Sequence, residues 1–364
     1  MQISQITHEI ELFAPCVYSE NYDNVGLLVG NANEECTGVL LSLDCTEEVI
    51  DEAIASKCNL IVSHHPLIFS GLKKITGKNL VERCVIKAIK NNIALYACHT
   101  NIDNVIAGVN AKIAQKLQLT NHRILSPAEH LLKKVVTFVP KSHHQQVLEA
   151  LFVAGAGHIG KYSHCSFYHE GTGTYQGNQF TKPFIGKAGE LSKEVEVRLE
   201  TVFPAYKQQQ IIKTLLQTHP YEEVAYDIYS IENQYNNVGS GLIAELNTPC
   251  TEIDFLQRVK SNFDLNTLKH SPFRGNTVKK IAICGGSGKF LMKDAMNAGA
   301  DVFLTADLKY HDFFEADGKI LLIDIGHYES EQFTPEIFYS IITNKFPTFA
   351  IHLSKINTNP VNYF

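Results

Sequence analysis

No two cysteines stand in a Cys-x-x-Cys pair, no stretch gathers lysine and arginine, and no apolar run approaches the ~20 residues that span a bilayer. Each absence removes a class of protein. The nine cysteines, at positions 16, 36, 45, 58, 84, 98, 165, 250 and 284, are odd in number and scattered, which suits reduced thiols in a cytosol rather than a disulfide framework. Cys98 and Cys284 lie inside apolar runs, where a thiol behaves as a small buried hydrophobe. Lys and Arg total 32 against 38 Asp and Glu, a net charge of -6, so the basic footprint of a nucleic-acid binder is missing. DNA or RNA is disfavoured as the main partner. Met1-Gln2-Ile3-Ser4-Gln5-Ile6 has no basic segment ahead of an apolar one, so a cytoplasmic protein with no membrane partner is expected.

What is present is the composition of a globular protein, 45% hydrophobic and 19% charged, with enough apolar surface to close a core without staples. A chain of 364 residues is long for one core, so two compact units, or one unit carrying a large insertion, are expected.

Hydrophobic periodicity gives an α/β reading. Gly38–Asp44 is a short apolar run that predicts a buried strand, and Thr46 is a helix N-cap followed by Val49, Ile50, Ala53 and Ile54 at helical spacing. Asn59–Ser63 is the next strand. The alternation recurs with a helix at Val81–Lys90 and a strand at Ile93–Cys98, then with strands at Lys279–Cys284, Val302–Thr305 and Ile320–Ile325 and a helix at Lys293–Ala298. Such alternation predicts a largely parallel sheet assembled from both ends of the chain.

The middle has a pattern of its own. Val135–Val139 reads as a strand, His144–Phe152 as a helix, Tyr162–Tyr168 and Val195–Glu200 as strands flanking a Gly-, Thr- and Lys-rich loop, Ala205–Thr218 as a helix and Val224–Ile231 as a strand. The order β-α-β-β-α-β is the ferredoxin-like split arrangement. The expected division is therefore a discontinuous α/β metal-binding domain, residues 1–130 and 238–364, with an α+β ferredoxin-like domain, residues 131–237, inserted in it.

Four polar clusters each follow an apolar strand: Ser63-His64-His65-Pro66, Cys98 to Asp103 with His99, Thr305 to His311, and Asp324 to Glu331 with His327. Sites in open α/β sheets form beyond the carboxyl ends of strands, so these clusters can meet in one crevice. His327 and Glu331, four apart at a helix start, fall on one face one turn apart. His64 and His65 would point to opposite faces of a continuing strand, and Pro66 ends that strand and frees them to converge. Imidazole with carboxylate suits zinc, manganese, iron or nickel rather than calcium. Three histidines and two carboxylates exceed one tetrahedral zinc with an open position and would serve two ions about 3.5–4 Å apart, with Glu331 the candidate bridge. His99 and His311 are candidates for proton transfer.

The stretch Cys284-Gly-Gly-Ser-Gly-Lys289 lies between a strand and a helix. It lacks the third glycine of a dinucleotide fingerprint and the first glycine and Ser/Thr of a P-loop. A tight turn is the leading reading, and a loop touching a substrate phosphate is the second.

Five segments taken together, Asn21-Tyr-Asp-Asn-Val-Gly-Leu-Leu-Val-Gly30, Val62-Ser-His-His-Pro-Leu67, His99-Thr-Asn-Ile-Asp103, Ala282-Ile-Cys-Gly-Gly-Ser-Gly288 and Asp324-Ile-Gly-His-Tyr-Glu-Ser-Glu331, resemble the signature stretches of the GTP cyclohydrolase 1 type 2 homologues, also called the NGG-interacting-factor-3-like proteins. The resemblance implies that His64, His65, Asp103, His327 and Glu331 are ligands of two divalent ions, zinc foremost. It also implies a toroidal homohexamer with the sites facing an inner cavity, and a PII- or CutA-like middle domain. The sequence departs from the family pattern at Thr305-Ala306-Asp307, where Thr-Gly followed by an acid is expected.

The leading functional expectation is a divalent-metal-dependent hydrolase in which a two-metal site activates water toward a nucleotide or another phosphate-containing small molecule. The alternative is a non-catalytic, metal-binding regulatory ring with an effector-sensing insert.

Overall fold

Val39–Ser42, Leu60–Ser63 and Ala94–Ala97 are buried along their whole length, as are Val302–Ala306 and Leu321–Asp324. Parallel strands covered on both faces carry such unbroken apolar runs, and these five form the middles of two sheets. The structure, a computed structural model, describes residues 1–363. The chain divides into two compact units, Met1–Ser126 with Asn237–Phe364, and Pro127–Asn236.

The expectation of one sheet built from both chain ends is corrected: the discontinuous unit contains two sheets. The first runs Gly26–Val29, Ala94–Ala97, Leu60–Ser63, Val39–Ser42 and Ile351–Leu353, parallel except for Gly26–Val29. The second runs Lys269–His270, Leu321–Asp324, Val302–Ala306, Thr277–Ser287, Tyr235–Thr251 and Thr120–Ala128. Its three strands Thr277–Ser287, Val302–Ala306 and Leu321–Asp324 are parallel to one another. Strand and helix alternation reports local βαβ units but not which unit pairs with which, because that choice is made by contacts far apart in sequence. The ends of the chain still interlock, since Ile351–Leu353 pairs with Val39–Leu41.

Helices pack on these sheets through short apolar stripes. Thr46 accepts the amide of Val49 at the start of helix Glu47–Ala55, Glu47 and Glu48 complement the helix dipole, and Val49, Ile50 and Ala53 are buried. Asn79 caps Leu80–Lys90 in the same way, with Lys87 and Lys90 in the last turn. One core gathers Leu40, Ile50, Ile61, Ala88 and Leu95, and a second gathers Ile243, Ala282, Met292, Phe303 and Leu322. Carboxyl ends of strands in both sheets lead into the polar clusters identified above.

The unit Pro127–Asn236 follows the order strand Leu132–Pro140, helix His144–Val153, strands Ser166–Gln176 and Leu191–Pro204, helix Gln208–Thr218 and strand Tyr226–Ile231. In space the four strands lie in the order second, third, first, fourth, all antiparallel. The two helices contribute Val147, Leu148, Leu151, Ile211 and Leu215 to one core with Val135, Val139, Leu199 and Phe203. Residues 171–174, read from sequence as part of a loop, are strand instead, with Gly171 opposite Glu196 and Thr174 opposite Lys193. Glycine and threonine suggested a turn, but pairing with the long strand Leu191–Pro204 overrides that local preference. No helix among the described residues is long and apolar enough to cross a membrane.

Candidate metal centre

Past the end of Leu60–Ser63, His64 donates its amide to Ser42 O at 3.3 Å and His65 donates to Leu43 O at 2.9 Å. Their rings nevertheless turn toward each other, with centroids 4.9 Å apart. Both Nε2 atoms approach one oxygen, Oε2 of Glu331, at 3.6 Å from His64 and 2.9 Å from His65. Glu331 is buried and closes the short helix His327–Glu331, and His327 Nε2 lies 3.2 Å from the same oxygen. Asp103, at the end of the short helix Thr100–Asp103, brings Oδ1 to 3.7 Å from His64 Nε2.

The other nitrogen of each ring is engaged. His64 Nδ1 lies 3.0 Å from Cys98 O, and since a carbonyl only accepts, Nδ1 carries a proton, so that in the neutral ring Nε2 presents its lone pair inward. His65 Nδ1 meets Asp44 Oδ1 at 2.7 Å, His327 Nδ1 meets Asp307 Oδ2 at 2.7 Å, and His99 Nδ1 meets Asp23 Oδ1 at 2.9 Å. An oxygen partner on the outer nitrogen is the arrangement that orients imidazole toward a metal.

A fit test follows from buried atoms left without partners. His64 Nε2 and Asp103 Oδ1 are both buried and neither has a hydrogen-bond partner. A lone pair facing two carboxylates is held at a large desolvation cost unless a cation sits among them. The donors form three overlapping groups, His64 with His65 and His99, His65 with His327 and Glu331, and His64 with Asp103 and Glu331, each with ligand atoms within 4.8 Å of one another. The residues present fit a divalent cation.

The electrostatics agree. Burial, reinforced by the negative charge of Glu331, pushes the Asp103 carboxyl up to about 8. Burial also opposes ionisation of Glu331, yet the histidines around it hold its carboxyl well below the usual range. For His65 burial works downward, but hydrogen bonds to Asp44 and Glu331 carry the imidazole up to about 9. Hydrogen bonding to Asp307, then to Glu331, carries His327 up to about 11. Protons on His65 and His327 thus supply positive charge against the surrounding carboxylates.

The structure thus brings His64, His65, Asp103, His327 and Glu331 together. His99 stands beside them, its ring centroid 5.2 Å from that of His64 and 5.4 Å from that of His65. His311 is not brought in. It is exposed in the 3-10 turn Tyr310–Ala316, against the rings of Tyr310 and Phe314, and belongs to none of the three donor groups. Asp44, Asp307 and Asp23, which orient three of the imidazoles, were not singled out from sequence. Asp44 and Asp307 carried a signal, since each follows a buried strand as the histidines do. At the Thr305-Ala306-Asp307 departure, Ala306 is buried and Asp307 itself takes a left-handed backbone, φ 58°.

The glycine stretch has a role that neither sequence reading contained. The amides of Gly285, Gly286 and Gly288 donate to Asn110 Oδ1, Ser330 Oγ and Thr305 Oγ1, each at 2.9 Å, so they are not free to hold a phosphate. Gly286 has φ 61°, and a Cβ there would collide with Glu331 Oε1. The stretch is the seat of the Glu331 carboxylate.

The sequence matches the family Duf34/NIF3 (NGG1p interacting factor 3) over residues 1–360. The chain belongs to the Duf34/NIF3 family. Among relatives of this Duf34/NIF3 chain, a Bacillus subtilis protein described as "GTP cyclohydrolase 1 type 2 homolog" is 40% identical, covering 99% of this chain and 98% of its own. The crystal structure of a Bacillus cereus protein related to NIF3 is 37% identical with a TM-score of 0.88, covering 100% of this chain and 99% of that one. A Staphylococcus aureus crystal structure is 32% identical with a TM-score of 0.80, covering 100% and 99%. Beside the cluster, the Duf34/NIF3 chain has a cavity of about 430 Å³, walled by His65, Lys269, His327, Tyr328, Asn359 and Tyr363.

Proposed function

We propose that this chain is a divalent-metal-dependent hydrolase whose residues His64, His65, Asp103, His327 and Glu331 hold two ions and whose substrate is a nucleotide or a related small molecule. The observation that carries the reading is the buried, unpartnered Nε2 of His64, oriented by the Cys98 carbonyl and facing the carboxylates of Asp103 and Glu331. Imidazole and carboxylate donors favour zinc, with manganese, iron and nickel next. Glu331 would hold the ions from the middle of the cluster, because one of its oxygens is approached by three imidazole nitrogens, two from the residues that follow the strand Leu60–Ser63 and one from its own helix.

When bound, such ions lower the pKa of a water into the neutral range. The protein's own residues then orient and move protons. Asp44 and Asp307 hold His65 and His327 in place, and both carboxylates are held below their ordinary range, Asp44 by His65 against the effect of burial and Asp307 by His327. His99, fixed by Asp23 and partly exposed beside His64 and His65, is the proton carrier toward a leaving group. The neighbouring cavity is of small-molecule size, and Lys269 on its wall supplies a positive group, balanced by Asp324 at 2.7 Å. A nucleotide as substrate is also the reading that the relatives' name supports.

We read residues 238–364 with 1–130 as the metal-binding domain and the inserted unit as ferredoxin-like, on the order and antiparallel pairing of its strands. The test of function is turnover. The metal-loaded protein and its Glu331→Ala variant are incubated with GTP and a panel of nucleotides and phosphoesters, and products are separated by chromatography. Metal-dependent product formation lost in the variant supports the hydrolase. Stoichiometric metal with no turnover across the panel overturns it in favour of the regulatory ring.

A further inference from the structure

The inserted unit encloses a cavity of about 530 Å³ that the metal chemistry does not use. Its floor is the strand pair Ser166–Gln176 and Leu191–Pro204, and the segment after Gln176 closes over it, held where Tyr175 Oη donates to Ile185 O at 2.6 Å and Gln176 Nε2 donates to Gly189 O at 2.9 Å. At the centre is Glu196, only 7% exposed. Its Oε1 accepts one hydrogen bond, from Tyr221 Oη at 2.7 Å, and among the described residues no ion pair reaches it. Arg198 also stands on the cavity wall, but it does not pair with Glu196: its Nε and Lys134 Nζ reach Glu200 at 3.0 and 3.1 Å.

A largely buried carboxylate with no counter-charge within ion-pair distance suits a cation as its partner, and so do the walls. Tyr175 and Phe184 flank Tyr221, each with a centroid separation of 6.2 Å, so three rings stand beside the buried charge. Glu222 and Glu223 add negative charge to the rim. Room is kept open by two glycines on the facing strand. A Cβ at Gly173 would collide with Glu196 Oε2, and Gly171, directly across from Glu196, has nothing within 4 Å of its Cβ position. The three-donor groups that suit a metal ion all lie in the other unit, so the chemistry here is that of an organic cation.

We infer that this cavity binds a small organic cation, with an ammonium or guanidinium group on Glu196 and its apolar body among Tyr175, Phe184 and Tyr221. The site does not depend on the reading of the metal centre.

Calorimetric titration of the full chain with 2-phenylethylamine and with agmatine tests it, using 2-phenylethanol and 3-phenylpropanoate as neutral and anionic counterparts. Saturable binding of a cation is expected, at least about tenfold tighter than either counterpart. Glu196→Gln, which keeps an acceptor for Tyr221, should weaken it by about tenfold or more, and Glu190→Gln, an exposed carboxylate outside the cavity, should leave it unchanged. If Glu196→Gln fails to fold, Phe184→Ala at a half-exposed ring carries the test through a severalfold weakening. No saturable binding of either cation, equal binding of the alcohol, preference for the carboxylate, or amine binding untouched by Glu196→Gln and Phe184→Ala overturns the inference.

Discussion

Gly286 and Glu331 occupy adjoining space that permits no side chain at position 286. The glycine amide donates to Ser330 Oγ at 2.9 Å, its backbone sits at φ 61°, and a Cβ would collide with the Glu331 carboxylate. Gly286→Ala should therefore displace Glu331 and lower metal retention by tenfold or more, while left-handed alanine costs roughly 1–2 kcal/mol of stability. Gly275→Ala is the control, with φ 74° and nothing near its Cβ position. It should show the backbone cost with metal retention intact. Chelator competition and thermal unfolding on the pair separate the two effects, and equal metal retention in both variants would contradict the seating role.

Asp307 acts on the site through His327 alone among the imidazoles, at 2.7 Å from Nδ1. Asp307→Asn keeps the side-chain shape but removes the charge that fixes the ring, so metal affinity should fall about 10–100-fold with the fold unchanged. Titration of the apoprotein with zinc against a colorimetric chelator reads this directly. An unchanged affinity would mean that His327 is held by its other contacts.

In the inserted unit, His219 Nε2 donates to Phe138 O at 3.0 Å and Nδ1 accepts the Tyr221 amide at 3.1 Å, an arrangement only the neutral ring can satisfy. Burial holds its pKa below the ordinary 6.5. The sign is fixed by this depression: below pH 6.5 the unfolded chain takes up a proton that the folded chain refuses, so stability falls as pH drops through that value and levels off only once the folded ring is protonated. Between pH 7.5 and 5.5 the melting midpoint should fall more steeply in the parent than in His219→Gln. Parallel slopes would rule out this residue as a source of acid sensitivity.

Phe303 is fully buried in the second sheet's core, among Ala282, Met292 and Leu322. Phe303→Ala should cost about 3–5 kcal/mol through lost burial and the cavity left behind, measurable by denaturant titration. A loss under about 1 kcal/mol would mean that the core collapses into the space.

Local signals carried much of the fold. Thr46 marks a helix start by its side-chain cap, and the largely apolar runs 39–42, 60–63 and 302–306 mark central strands. Helix Ile3–Phe13 was unread, with Gln2 at its cap and no acid in its first turn. The strands Thr120–Ala128 and Tyr235–Thr251 were also missed, since exposed polar residues interrupt their patterns and their pairing joins segments more than 100 residues apart.

For the site, a strand end followed by His or Asp was a readable sign, and the four-residue spacing of His327 and Glu331 aimed both at one point. The orienting carboxylates and the Gly286 seat were less visible, because their roles are defined by contacts across the sheets: Asp44 meets His65 from 21 positions away, and Gly286 meets Ser330 from 44.

Metal content is the most direct test of the central claim. Elemental analysis of the purified protein beside the His65→Ala/Glu331→Ala variant should give about two divalent ions per chain in the parent and a large loss in the variant. A parent that takes up no metal even after reconstitution with zinc or manganese would contradict the account.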